Sequence, residues 1–167
     1  GSIYKLDSHQ IRDERYEFEN TLIHTKDWHT AAPQSTFEEM YKVIDELEIL
    51  FTEARFTDAR TIQVIKELPR STSFYYEFIP EATRTAHLLP DDFWAAVSTQ
   101  LLKKASFHPE TIAYVIHMFQ LQSWGLIQDA VLERSTRTAV SKSVPEKFTH
   151  VPAGTRLIEP GEKITSR

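Results

Sequence analysis

Cysteine does not occur among the 167 residues of this chain, which excludes disulfides, thiolate catalysis and cysteine-ligated zinc together. Glycine is almost as scarce: four residues leave little from which to build a phosphate cradle, and no Gly-x-Gly-x-x-Gly or P-loop spacing is present. No apolar run approaches the roughly 18 residues that a bilayer-spanning helix needs, and no signal peptide is visible. Basic residues are outnumbered, 19 Lys and Arg against 24 Asp and Glu, so the net charge of −5 argues against a nucleic-acid partner. What is present is 41% hydrophobic and 11% aromatic residues, enough at this length for one domain with a core that needs no staples. Gly1-Ser2 reads as a cleavage scar, the mark of a piece excised from a longer protein.

The patterning predicts a mainly α domain with a small β component, an α+β arrangement of five or six helices. Ile3–Leu6 alternates as a short strand, and Asp7 with Gln10 has the spacing of a capping box opening a helix to about Trp28. Ser35 with Glu38 repeats that spacing before the clearest amphipathic stripe, Met40, Ile44, Leu47 and Phe51. The tandem pentads Phe51–Arg55 and Phe56–Arg60 are read as a helix end and a restart capped at Thr57, with Ile62, Ile65 and Leu68 inward and Pro69 as the stop. Phe74–Phe78 is an aromatic, β-prone run. Pro90-Asp91-Asp92 opens a helix with Trp94, Val97, Leu101 and Ala105 inward, and His108-Pro109-Glu110 opens a central one running towards Trp124. Gly125 is a natural stop. From residue 129 onwards the Thr, Ser and Val content predicts a β-rich tail, with turns at Pro152–Gly154 and Glu159–Gly161.

The chemistry-bearing residues form no motif. The seven histidines include no His-Glu-x-x-His and no Glu-x-x-His. His24 and His29 are five apart, about 140° around a helix, and His108 and His117 fall on opposite faces. Structural or surface roles are expected for the histidines; no metal site, cofactor or catalytic residue is predicted. Asp91-Asp92 and Glu38-Glu39 fit acids in a helix first turn. The generic ligand-groove candidates are Phe74, Tyr75, Tyr76 and Phe78, because one face of such a strand can stay open; the plain alternative is a strand buried on both sides.

The two ends carry a more specific signal. Tyr4-Lys5-Leu6-Asp7 leads into a charged helix, and the tail from Val151 to Thr165 places Gly154, Ile158, Gly161, Glu162, Ile164 and Thr165 in a recurring order. This resembles the extracytoplasmic domain of seven-transmembrane receptors that carry an intracellular HD hydrolase, the PgpH type. That domain opens on a similar strand after the first membrane helix and closes on a segment like "GEVIVREGEKVT". Here Thr155 replaces the usual acidic residue and Pro160 precedes the second glycine, and the helical middle is unmatched.

The resemblance implies a single noncatalytic sensing domain, 1–167, on the extracytoplasmic face of the cytoplasmic membrane within a multi-pass protein. Its partners would be its own membrane bundle and a small-molecule or envelope ligand, with a homodimer as a further partner state. The parent would hydrolyse cyclic di-AMP with metal ions held by its cytoplasmic HD domain; the lack of a His-Asp dipeptide fits that domain's absence here. A tail strand at Arg156–Ile158 is expected to pair with Ile3–Leu6, with Gly154 and Gly161 making turns at positive φ. Two other readings stay open. One is a cytoplasmic helical interaction or dimerisation module using Ser35–Phe51 and Pro90–Ala105. The other is a small enzyme that gathers His24, His87, His117 or His150 with an acid.

Overall fold

The computed structural model describes residues 1–68, 74–104 and 106–148, with side chains described as far as 142. In chain order the elements are β1 (Tyr4–Leu6), α1 (Ser8–His24), α2 (Asp27–Ala31), α3 (Phe37–Glu53), β2 (Ala54–Thr57), α4 (Ala59–Lys66), β3 (Phe74–Glu77), α5 (Asp91–Leu102), α6 (Pro109–Gln120), β4 (Leu126–Gln128) and α7 (Ala130–Phe148). The mainly helical α+β class is borne out; the described residues hold seven helices, where five or six were expected, and a four-stranded sheet of order β3-β2-β1-β4. β1 lies antiparallel to both neighbours, Tyr4 opposite Phe56 on one side and Gln128 on the other, while β2 and β3 run parallel.

Three expectations are corrected. The pentad repeat is not a helix restart at Thr57: Ala54–Thr57 is strand β2, with Phe56 and Thr57 fully buried, and Asp58 caps the following helix by accepting from the Thr61 N–H at 2.7 Å. A strand this short between two helices is too brief to show a period of two. Residues 130–148 are helix α7, not β tail. Asp129 accepts the Leu132 N–H at 3.0 Å through its side chain and the Glu133 N–H at 3.0 Å through its carbonyl, which nucleates a helix whose weak amphipathicity hides it from a periodicity reading. The helix expected to reach Trp28 ends at His24. There the Thr25 hydroxyl turns back on the Thr21 carbonyl, and the Trp28 indole N–H, 3.1 Å away, takes the orphan carbonyl of Leu22.

Both edges of β1 are occupied, by β2 and β4, so the place expected for Arg156–Ile158 is filled by Leu126–Gln128. Residues 156–158, Gly154, Gly161, Glu162, Ile164, Thr165 and His150 lie outside the described residues, as do Pro69 and Ala105.

The two capping boxes also close differently. Asp7 caps α1 by accepting from the His9 N–H, but Gln10 does not return to Asp7. Its amide reaches the loop before β4, donating to the Ser123 carbonyl at 2.7 Å and accepting the Gly125 N–H at 2.7 Å. Thr36, rather than Ser35, caps α3, accepting the Glu39 N–H at 3.1 Å. Gln10→Ala is expected to lose about 1–2 kcal/mol in urea unfolding, two hydrogen bonds' worth, with the helical signal of the native state unchanged. A loss below a few tenths would mean that the loop holds itself without the glutamine.

The core sits between the sheet and helices α1, α3, α5 and α6. Leu6, Ala54 and Phe56 face it from the strands, and Met40, Val43, Ile44, Leu47 and Phe51 from α3. Pro109 stands at the start of α6, as expected; that helix ends at Gln120 and buries Ile112, Tyr114, Val115, Ile116 and Phe119 while Ala113 and His117 face out. Phe51 packs on Phe93, Trp94, Phe119 and Trp124 with ring centroids 5.2–5.8 Å apart, the distances of offset and edge-on aromatic pairs.

Candidate functional site

β3 is an edge strand with one face on the core. Tyr76 packs on Phe56 and edge-on to Phe93, and Phe78 packs edge-on to Phe56 and His87. Burial pushes the Tyr76 phenol up. Phe74 is exposed and Tyr75 half-buried. The four candidate aromatics therefore do not form one surface: Tyr76 and Phe78 pack against the core, while Phe74 is exposed.

The histidines are separated in the same way. His24 and His117 are exposed, and His87 is buried. His87 exchanges backbone hydrogen bonds with Trp124 at 2.8 and 2.7 Å. Its Nε2 accepts the Glu81 N–H at 3.1 Å, which places the ring proton on Nδ1, a buried atom with no partner among the described residues. Among the described residues no group of three or more His, Asp and Glu could hold a metal ion.

Among the described residues, His108 is the one histidine whose ring is bonded to an acid. Glu39 accepts the His108 backbone N–H at 2.6 Å and faces its Nδ1 at 2.8 Å. Burial works to raise the Glu39 carboxyl, but the His108 backbone and ring and the Thr111 hydroxyl outweigh it and hold it below the usual range. An acid beside an imidazole is a pairing that nucleophilic sites use, but among the described residues no hydroxyl or other nucleophile is bonded to this ring. The nearby Ser35 hydroxyl is paired with Thr111. The arrangement joins the start of α3 to the start of α6. Glu38 and Glu39 both stand in the first turn of α3, as expected; Glu38 is exposed, and Glu39 is also bonded to His108.

The most elaborate polar cluster lies where the N-terminal strand meets α7. Ile3 is bonded on both sides by residues far along the chain: its N–H donates to Glu133 Oε2 at 3.0 Å, and its carbonyl accepts the Asp129 N–H at 2.7 Å. The Ser2 carbonyl accepts from the buried Thr57 hydroxyl at 2.7 Å. Gln128 donates to Glu133 Oε1 at 3.1 Å, so both oxygens of that buried carboxylate are engaged. Asp129 is paired with Arg55 at 2.9 Å, and the same guanidinium donates to the Thr52 and Ala54 carbonyls at 2.8 Å. Burial would raise the Asp129 carboxyl, yet the Leu132 N–H and Arg55, with Lys5 more distantly, leave it below its ordinary value. Tyr4 and Asp7, the described part of the N-terminal motif, frame this cluster as the central-strand residue and the α1 cap.

Sequence reading singled out none of Ile3, Arg55, Asp129 and Glu133 as site residues. The one available signal is Asp129 followed by Leu132, an N-cap spacing in front of a run without proline until Pro145. No family model matches the chain, and no curated protein or solved structure is significantly similar to it.

Proposed function

We propose that the chain is a noncatalytic extracytoplasmic sensing domain of a membrane-bound HD-type phosphodiesterase that hydrolyses cyclic di-AMP. In this reading it biases the cytoplasmic hydrolase through the membrane bundle. The observation that carries the reading is the double tie of Ile3 to the start of α7 through Asp129 and Glu133. A domain set between membrane segments needs its entering strand and its leaving element joined, so that a rearrangement of the body moves both. Here one bond of the joint is backbone to backbone, the other runs from the Ile3 N–H to the Glu133 carboxylate, and the Arg55–Asp129 pair backs both. Signalling then requires a ligand that binds two arrangements of the body unequally. The resemblance of Tyr4–Asp7 and of the tail to the receptor family supports the same reading.

Gln34, exposed in the loop between α2 and α3, gives the test. The parent protein, made cysteine-free elsewhere, carries Gln34→Cys and meets a maleimide that cannot cross the inner membrane. Any outer membrane is permeabilised first, and a lysed sample is run in parallel. Labelling in intact and lysed cells alike is the expected result. Labelling only after lysis places the domain in the cytoplasm, overturns the sensing reading and favours an interaction or dimerisation module.

A further inference from the structure

A groove of about 460 Å³ lies between α4 and α7, beside Ile3. That volume is within the range of small-molecule sites. Its apolar wall comes from buried Ile3, Val64 of α4 and Val140 of α7. Arg60 and Arg137 border it from the two helices, both exposed and neither in an ion pair among the described residues. The acid at its edge, Glu133, has its oxygens taken by the Ile3 N–H and the Gln128 amide.

In a chain of net charge −5, two guanidiniums turned to one cavity with an apolar floor are a recognition pattern. Planar guanidinium forks match a carboxylate or phosphate, and the aliphatic wall matches a short apolar body. We infer that the α4–α7 groove binds a small soluble amphipathic acid, its anionic head held by Arg60 and Arg137 and its apolar part against Ile3, Val64 and Val140. Bridging α4 and α7 beside Ile3 stabilises the arrangement of the body that holds those helices together. The sensing role rests on the function proposed above, but the binding site does not; maleimide labelling reads location and the following titration reads the groove, so the two fail separately.

The probe is hexyl phosphate, titrated into the 167-residue chain with backbone amide shifts read by NMR. Shifts at residues 60–64 and 136–141 at millimolar concentration are expected, with inorganic phosphate and 1-hexanol each at least about tenfold weaker. Gly1 also borders the groove, so the variants assign the head. Arg60→Gln with Arg137→Gln is expected to weaken binding at least about tenfold while leaving the melting temperature of the free protein unchanged, because both side chains are exposed. Three results overturn the inference: no shifts in those two segments, shifts indifferent to both arginines, or binding confined to phosphatidylglycerol vesicles.

Discussion

Phe51→Ala is expected to destabilise the protein by about 4 kcal/mol, the middle of the range for deleting a fully buried phenylalanine. Phe51 is 1% exposed, and its ring is the meeting point of α5, α6 and the Trp124 loop through Phe93, Trp94, Phe119 and Trp124. Alanine removes the ring and leaves a cavity walled by large rigid side chains that cannot collapse into it. Trp124 is held by its indole bond to the Phe119 carbonyl at 3.2 Å and by its backbone pairing with His87. For a domain of this size the loss corresponds to a fall of roughly 8–16 °C in Tm. Leu121→Ala, at a residue 61% exposed, is the matched control and is expected to stay within about 0.5 kcal/mol. A Phe51→Ala loss below about 1 kcal/mol would mean that the ring cluster is loosely packed.

Asp129→Ala is expected to lose about 3 kcal/mol, the low end for breaking a buried ion pair by removing one partner. Asp129 and Arg55 side chains are 9% and 15% exposed, so the guanidinium left behind is poorly hydrated, and the cap on Leu132 goes with the carboxylate. Asp129→Asn keeps the cap geometry but not the charge and is expected to lose less. The pH dependence follows from the direction of the shift. A carboxyl held below its ordinary value in the folded state contributes stability that is complete above the unfolded pKa of about 4 and is lost as pH falls through the lower folded value. The gap between wild type and Asp129→Asn is therefore expected to be constant near neutrality and to close in acid. Glu39 is lowered in the same sense, so Asp129→Asn retains a shallower acid limb, and adding Glu39→Gln flattens it further. A gap that stays the same down to about pH 2 would show that the Asp129 charge contributes nothing.

The parts of the fold that sequence reading reached are those written in local chemistry. Met40, Ile44, Leu47 and Phe51 at helical spacing, Pro109 at the first helical position and Asp91-Asp92 at a helix start each depend on neighbours a few residues away, and each stands where it was expected. What escaped depends on distant partners. Gln10 and Glu39 have the spacing of local caps but are drawn to Gly125 and His108, because an unsatisfied, partly buried backbone N–H is a stronger claim on an amide or carboxylate than a solvated one. Alternation and aromatic content were enough for β1 and β3, but β2 and β4, equally short and each leading into a helix, carry too little pattern to be seen before their partners are known. The candidate site was the least legible. The Ile3 N–H finds its acceptor 130 positions away, and Arg55 finds Asp129 at 74. The aromatic run drew attention by composition, yet composition does not say which alternate rings the sheet turns inward.

The place of β1 in the sheet also orders events in time. The first strand to be synthesised lies in the middle and receives one of its two neighbours only from residues 126–128. Closing so long a loop costs entropy before any pairing returns it, so this sheet is a late event in folding. Until Trp124–Asp129 has emerged, a growing chain has α1 to α6 but an unfilled gap beside Tyr4–Leu6, and the Ile3 carbonyl lacks the Asp129 N–H. A fragment stopped before that segment lacks the part that closes the sheet, however much of the helical core it contains.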